Sequence, residues 1–452
     1  MASGQKISER GMAVGLRALN RVASSPALDR LGLRDQAAWA LHGAGRNGTR
    51  AATAAGRRFA AVQRLSRPAR QRTDAEPGRS DLFDLTATEE QQLLRNSVGE
   101  LALARIRPAA AAADDATATP SELLTEVDEL GLTMVGVPEE LGGVVADRSA
   151  TTAVLIAEAI AHGDMGIGVA CLAPAAVCTA IALWGDADQQ ARYLPPFVSD
   201  DVPVAALALM EPQPLFDPLT PMTRAVKSPD GGYVLNGAKA LVPRAADAEL
   251  FVVGARLGDR GPALFVVESG TDGLSVAPEP GMGVRAAATG RLELDDVRLP
   301  ASALLNGLAG GSSSAGAAYR DCVALARLGW CALAIGTGQA VLDYVTEYVS
   351  ERRAFGEPIS NRQAVAFAVA NIAIELDGMR LATYRAAARV DRGLEFHREV
   401  ALARWLCAEH GMAIGSEGVQ LLGGHGYVKE HPVERWYRDL RAAGMLEGGV
   451  LV

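Results

Sequence analysis

The stretch "RDLRAAGMLEGGVLV" closes the sequence and sets one carboxylate, Glu447, between Leu446 and Gly448. Met445 and Leu446 precede it, glycines follow it, and no basic residue adjoins it. Burying such a group with no adjoining charge disfavours its anion and raises its pKa. A carboxylate poised near neutrality can act as a general base towards a weakly acidic C–H. The bland alternative is a solvated glutamate in a frayed tail. His425 and His431 also invite an acid–base or metal reading. The chain has 6 histidines and no HxH or HExxH spacing, so no metal is expected.

These side chains need a scaffold, and the chain is long enough for one. Its 452 residues have room for two or three domains around a large core. Hydrophobic residues at 49% and charged residues at 21% are an ordinary globular balance. No uninterrupted apolar run reaches about 18 residues, so a spanning helix is not expected. Five cysteines (Cys171, Cys178, Cys322, Cys331 and Cys407) lack a CxxC spacing and lie in apolar settings. They predict buried, reduced thiols and hence a reducing, cytoplasmic location.

The net charge of −9 is unevenly spread. Residues 1–80 hold 15 Lys+Arg against 5 Asp+Glu, and the remainder holds 29 against 48. The basic part is therefore an Ala/Arg-rich N-terminal extension and not a nucleic-acid face on the main body. Three readings stay open for it: an arm for an anionic membrane surface or acidic partner, a targeting peptide, or a solvated extension.

Beyond it the pattern changes three times. Residues 81–200 predict an N-terminal helical domain, with Thr86 or Thr88 as N-cap ahead of Glu89 and Glu90. "ATTAVLIAEAIAHGDMGIGVACLAPAAVCTAIALWG" is too apolar for a surface helix and should be buried. Residues 201–312 switch to short β-rich runs bounded by turns such as "SPDGG", which predicts an antiparallel β-barrel or sandwich domain. Residues 313–452 return to long helices. Val365, Val369, Ile372, Leu376 and Met379 step by 4, 3, 4, 3, the seam of a bundle helix. The expected fold class is α+β and multi-domain, closing in a four-helix bundle.

That order meets several local motifs. "ERRAFGEPISNRQAVAFAVANIAIELDGMRLATYRAAARVDRG" and "GVQLLGGHGYVKEHPVERWYRDLRAAGMLEGG" resemble two signatures of the acyl-CoA dehydrogenases. "GVRAAATGRLELDDVRLP", "LGLTMVGVPEELGG" and "LWGDADQQARYLPPF" resemble further stretches of that family in the right order. The resemblance runs from about residue 82 to the end. It implies FAD-dependent oxidation of an acyl thioester, such as acyl-CoA, to the trans-2-enoyl thioester. A glutamate takes the α-proton, and the β-hydrogen leaves as hydride to the flavin. It also implies a homo- or hetero-oligomer and an electron-transferring flavoprotein as acceptor.

Residue by residue, Glu447 falls on the family's catalytic base, with Gly448 supplying close backbone approach. Arg352, Phe355 and Gln363 match residues that reach the FAD of a neighbouring subunit, where a guanidinium fork suits phosphate oxygens. Gln420, Gly423 and Gly424 match the loop along the cofactor's ADP half. Arg327 matches an arginine beside the catalytic pocket, with Ala324 where an acidic residue is usual. Taken alone, Arg352 could equally end a charged helix, and Gly423 and Gly424 could simply form a helix C-cap.

The departures lie around the flavin ring. Where the family has Thr-Glu-Pro-Gly-Ala-Gly-Ser-Asp, this chain reads "MEPQPLFDP". Met210 replaces the threonine, Phe216 replaces the serine and both glycines are gone. Leu241 and Pro243 stand in "LVP", where the family has Trp-Ile-Thr or Trp-Ile-Ser. Gly449 replaces the threonine after Glu-Gly. Two functions follow. One is an active FAD-dependent acyl-CoA dehydrogenase with a rebuilt cradle. The other is a flavin-poor subunit that completes a partner's FAD site. A weaker third is a structural paralogue tethered by the basic arm.

Overall fold

The computed structural model describes residues 85–143, 148–199, 201–305 and 314–447. The basic extension and Gly448 lie outside the described residues.

Helix α1 (Glu89–Leu101) starts at Thr88, whose hydroxyl accepts from the Gln91 amide while the Gln91 side chain returns the bond. That capping box selects Thr88 over Thr86. A π-helical turn (Ala102–Ile106) leads into α2 (Arg107–Ala116), and α3 spans Ser121–Glu129. The long apolar stretch forms two helices, α4 (Ala150–Ala161) and α5 (Met165–Trp184), separated where the Asp164 carboxylate caps α5. Then α6 spans Ala187–Tyr193.

Eight strands follow: β1 (Ala205–Ala208), β2 (Arg224–Lys227), β3 (Tyr233–Val242), β4 (Leu250–Leu257), β5 (Pro262–Glu268), β6 (Leu274–Pro278), β7 (Gly290–Leu299) and β8 (Leu304–Leu305). They form one open sheet in the order β6-β7-β3-β2-β4-β5-β8, with β1 also on β4. Most pairs are antiparallel, but β1 and β2 both run parallel to β4. A purely antiparallel sheet was expected; β1 and β2 instead lie in line along β4, β1 beside Leu250–Val253 and β2 beside Arg256 and Leu257, so the loop between them carries the chain onward in the same direction and makes both parallel pairs. The sheet does not close into a barrel and is sandwich-like. Phe251, Val253, Phe265 and Val267 fill one of its faces, while Val252, Leu264 and Val266 pack against α5 from the other. Burial on both faces explains why β4 and β5 read as continuous apolar runs.

Three long helices complete the chain: α7 (Ala315–Glu351), α8 (Gln363–Asp391) and α9 (His397–Leu421). A small hairpin of β9 (Arg353–Ala354) and β10 (Glu357–Pro358) joins the first two. The fourth bundle member is short, α10 (Val433–Leu440), followed by the single turn α11 (Ala442–Met445). Ile372, Leu376 and Met379 of the expected seam are fully buried, and Val365 and Val369 lie half-buried at its outer end. Helices α5 and α7 have the length and apolarity to cross a bilayer, yet 67% of each such window is buried inside the protein.

Helix α10 cross-links the layers through two ion pairs and a carboxyl–amide hydrogen bond. Arg435 Nε meets Asp164 Oδ2 at 3.1 Å, at the start of α5. Arg438 forks onto both oxygens of Asp114 in α2, at 2.9 and 2.8 Å. Asp439 Oδ1 accepts from the Val284 amide at 2.6 Å, and a Cβ on Gly283 would come within 2.3 Å of the Arg438 carbonyl. Only glycine allows that approach.

A second buried pair sits in the sheet. Lys239 Nζ donates to Glu211 Oε1 at 2.8 Å and to the Leu209 carbonyl at 3.2 Å. Glu211 also accepts from the Met222 and Thr223 amides at 2.7 and 3.0 Å. Burial pulls Lys239 down to about 8 against the pull of Glu211. Burial alone would lift Glu211, but Lys239 and Thr223 outweigh it and hold the carboxylate low. Lys239→Met would strand Glu211 without its countercharge and should cost roughly 3 kcal/mol or more in urea unfolding of the full chain. Adding Glu211→Gln should recover part of that loss; equal stability of the single variant and wild type would count against the account.

Candidate active site

Glu447 sits on the turn after α11, held by two helices. It has φ +52°, a left-handed conformation that only outside contacts hold in a non-glycine residue. Arg327 in α7 donates Nε and Nη2 to the Glu447 carbonyl at 3.0 and 2.9 Å. Arg404 in α9 donates Nη2 to the preceding carbonyl, that of Leu446. The carboxylate itself is buried and accepts a hydrogen bond from the Trp330 side chain, while its Oε2 has no partner. Burial lifts its pKa to about 7, opposed by Arg404, Arg327 and Trp330 in that order. The arrangement suits a base that is about half ionised at neutral pH and keeps one oxygen available.

The sequence does not single out Trp330 or Arg404. A signal for the second exists. Val400, Arg404, Cys407, Gly411, Ile414, Gly418 and Leu421 step by 4 and 3 and are all buried, so one charge sits in an otherwise uncharged seam. Arg327, expected beside the substrate, spends two of its donors on the Glu447 carbonyl.

The other expected residues gather far from Glu447. Arg352 caps the end of α7, 25 residues after Arg327, which is about 38 Å along a helix axis. Phe355 is 94% exposed at the tip of the β9–β10 hairpin, beneath the Arg362 guanidinium. Gln363 begins α8, Gln420 ends α9, and all of these are exposed with Gly423 and Gly424. Helices α7 and α9 run parallel, since Cys407 meets Cys331 and Gly418 meets Val341. Both sets therefore come to the same end of the bundle. His431 links them there: its Nδ1 pairs with the Tyr344 hydroxyl at 2.5 Å, and its ring packs edge-on against His425. Glu430 joins the two histidines in one small group, with His425 Nδ1 at 3.1 Å from Glu430 Oε2.

The altered stretch lies between the sheet and α7. Phe216 is 2% exposed and fills interior space, and Tyr319 donates to the Pro218 carbonyl at 2.6 Å. Tyr319 and Arg327 are two turns apart on one face of α7, which brings this loop towards the Glu447 pocket. The Leu241 amide, in a left-handed turn at φ +53°, is taken by Glu279 Oε2 at 2.9 Å.

Three family models match in order: the acyl-CoA dehydrogenase N-terminal domain over residues 88–201, the middle domain over 206–297 and the C-terminal domain over 317–449. The chain belongs to the acyl-CoA dehydrogenase family. The mitochondrial short-chain specific acyl-CoA dehydrogenase of Bos taurus is 34% identical over 366 residues, 80% of this chain and 87% of that relative. The solved butyryl-CoA dehydrogenase from Megasphaera elsdenii superposes with a TM-score of 0.74 at 28% identity, over 82% of this chain and 97% of its own. A glutaryl-CoA dehydrogenase from Mycobacterium smegmatis, solved in complex with FADH2, gives 0.72 at 25% identity, over 81% and 92%.

FAD is the cofactor of this acyl-CoA dehydrogenase family, and the residues present meet it unequally. At the far end of the bundle the exposed Arg352, Gln363 and Gln420 offer donors, and open space surrounds Gly423 and Gly424. These fit the phosphate and adenosine part. The stretch expected to hold the ring does not fit in the family's way: Met210, Phe216 and Pro243 offer no hydroxyl. Gly423 has φ +59° while Gly424 does not, so only the first needs glycine. Gly423→Ala should cost about 1 kcal/mol in urea unfolding, against no measurable loss for Gly424→Ala; equal effects of the two would contradict the loop geometry.

Proposed function

We propose that this acyl-CoA dehydrogenase oxidises an acyl thioester between its α and β carbons, with Glu447 taking the α-proton. The observation that carries the reading is the buried Glu447 carboxylate with an unpartnered Oε2 and a pKa near 7. The dry surroundings keep the group basic enough to accept a proton and exclude competing water. Arg327 and Arg404 hold its turn, and Trp330 orients the carboxylate. FAD, when bound, would supply the hydride acceptor for the β-hydrogen. The family resemblance supports an electron-transferring flavoprotein as the next acceptor.

The roughly 38 Å between Arg327 and Arg352 supports an oligomer, since one chain carries its base and its phosphate donors at opposite ends of the bundle. Phe367, Ile374 and Leu381 support it too. They recur every seven residues along α8 and are 59%, 66% and 59% exposed. In this reading Arg352, Phe355, Gln363, Gln420, Gly423 and Gly424 serve a neighbouring subunit's FAD.

Phe216 and Pro243 favour a second reading, in which the chain lends that set to a partner dehydrogenase and holds no flavin of its own. The visible spectrum of the purified full-length protein separates the two. The first reading expects a flavin spectrum that bleaches on anaerobic addition of mixed acyl-CoA. A colourless protein after FAD is supplied means the second. Glu447→Gln should retain flavin and lose about 10²-fold or more in turnover. In the wild type, kcat/KM should fall as pH drops below about 7, because the carboxylate protonates there. Full activity in Glu447→Gln would remove the base assignment. Replacing Phe367 and Ile374 together by Glu should reduce the assembly to monomer in sedimentation velocity; an unchanged oligomer would place the interface elsewhere.

A further inference from the structure

Arg404 is 4% exposed within the buried seam of α9. An arginine there gives up most of its hydration, a loss that only well-placed partners offset. Its Nη2 donates to the Leu446 carbonyl, one residue before the carbonyl that Arg327 holds from α7. Two guanidiniums on two parallel helices thus take consecutive carbonyls of one turn. That turn carries Glu447 at φ +52°, a left-handed conformation that a residue with a Cβ adopts at a cost and so dependent on outside anchors.

The groups facing the Glu447 carboxylate come from two elements. Arg404 reaches it from α9; Arg327, Trp330 and the Cys322 thiol reach it from α7. Burial pushes the Cys322 thiol well up, so it stays neutral and adds no charge. Of the two cations, Arg404 opposes the burial of Glu447 more strongly.

We propose that Arg404 is a positioning residue for the base: it pins the Leu446–Glu447 turn from α9 and sets a permanent positive charge beside the carboxylate. The proposal rests on the reading of Glu447 as base. It divides Arg404's action into two parts, the guanidinium's hydrogen bond to the Leu446 carbonyl and a charge, which different substitutions separate. Arg404→Lys keeps the charge and loses the guanidinium's bond; Arg404→Met loses both.

The test uses the full-length protein with two readouts: the pH profile of kcat/KM, and amide hydrogen exchange of residues 441–447. Arg404→Met should move the acid limb upward by about one pH unit, a roughly tenfold loss on that limb, and should speed exchange in the turn. Arg404→Lys should keep the limb near its wild-type position and still speed exchange. A wild-type limb together with wild-type exchange in folded Arg404→Met overturns the proposal. If Arg404→Met does not fold, Arg404→Lys decides alone, and unchanged exchange in it overturns the pinning. Should Glu447→Gln retain turnover, the base reading fails, while the exchange arm still reports whether Arg404 holds the turn.

Discussion

The buried polar cross-links of α10 are the constraint on which the position of the Glu447 turn depends. Arg435, Arg438 and Asp439 reach Asp164, Asp114 and the Val284 amide, so one short helix joins α5, α2 and a loop of the sheet. Such links are strong only when every partner is in place, because a stranded buried charge costs several kcal/mol. Helix α10 is thereby fixed in three directions. The Glu447 turn follows it after one further helical turn, α11, and inherits that fixed position.

The charge state of Glu447 is then set by a balance of two opposing effects. Burial favours the neutral acid, and the guanidiniums of Arg404 and Arg327 favour the anion. Neither effect alone places the carboxylate near neutrality. The same guanidiniums hold the backbone through the carbonyls, so position and charge state are coupled. Helices α7 and α9 supply the anchors near their beginnings and carry Arg352 and Gln420 at their ends. Their parallel course puts the length of the bundle between Glu447 and the exposed Arg352 and Gln420.

The stretch "MEPQPLFDP" shows how a motif can keep its structural residue while its ligand-facing ones change. Glu211 is bound by Lys239 and two backbone amides inside the sheet, so its loss would leave Lys239 buried and unpaired. Met210 and Phe216 carry no such obligation. Phe216 instead fills interior volume, which stabilises the loop through apolar burial.

The sequence by itself determined the order of helices, sheet and bundle, because periods of 3.6 and 2 are local properties of the chain. It also singled out Glu447, through apolar and glycine neighbours and a family motif, and the Arg352 and Gln420 sets through motif alone. It did not determine the parallel pairing of β1 and β2 with β4, since strand direction depends on where a loop returns the chain. It did not determine the roles of Arg404 and Trp330. Arg404 stands 43 residues before Glu447 and Trp330 stands 117 before it. Only packing α7 and α9 side by side brings both to the turn. Nor could it show that Arg352 and Glu447 lie at opposite ends of one bundle. Hydrogen bonds between distant segments and the desolvation of a carboxylate are properties of the folded interior, and so the tertiary structure alone decided them.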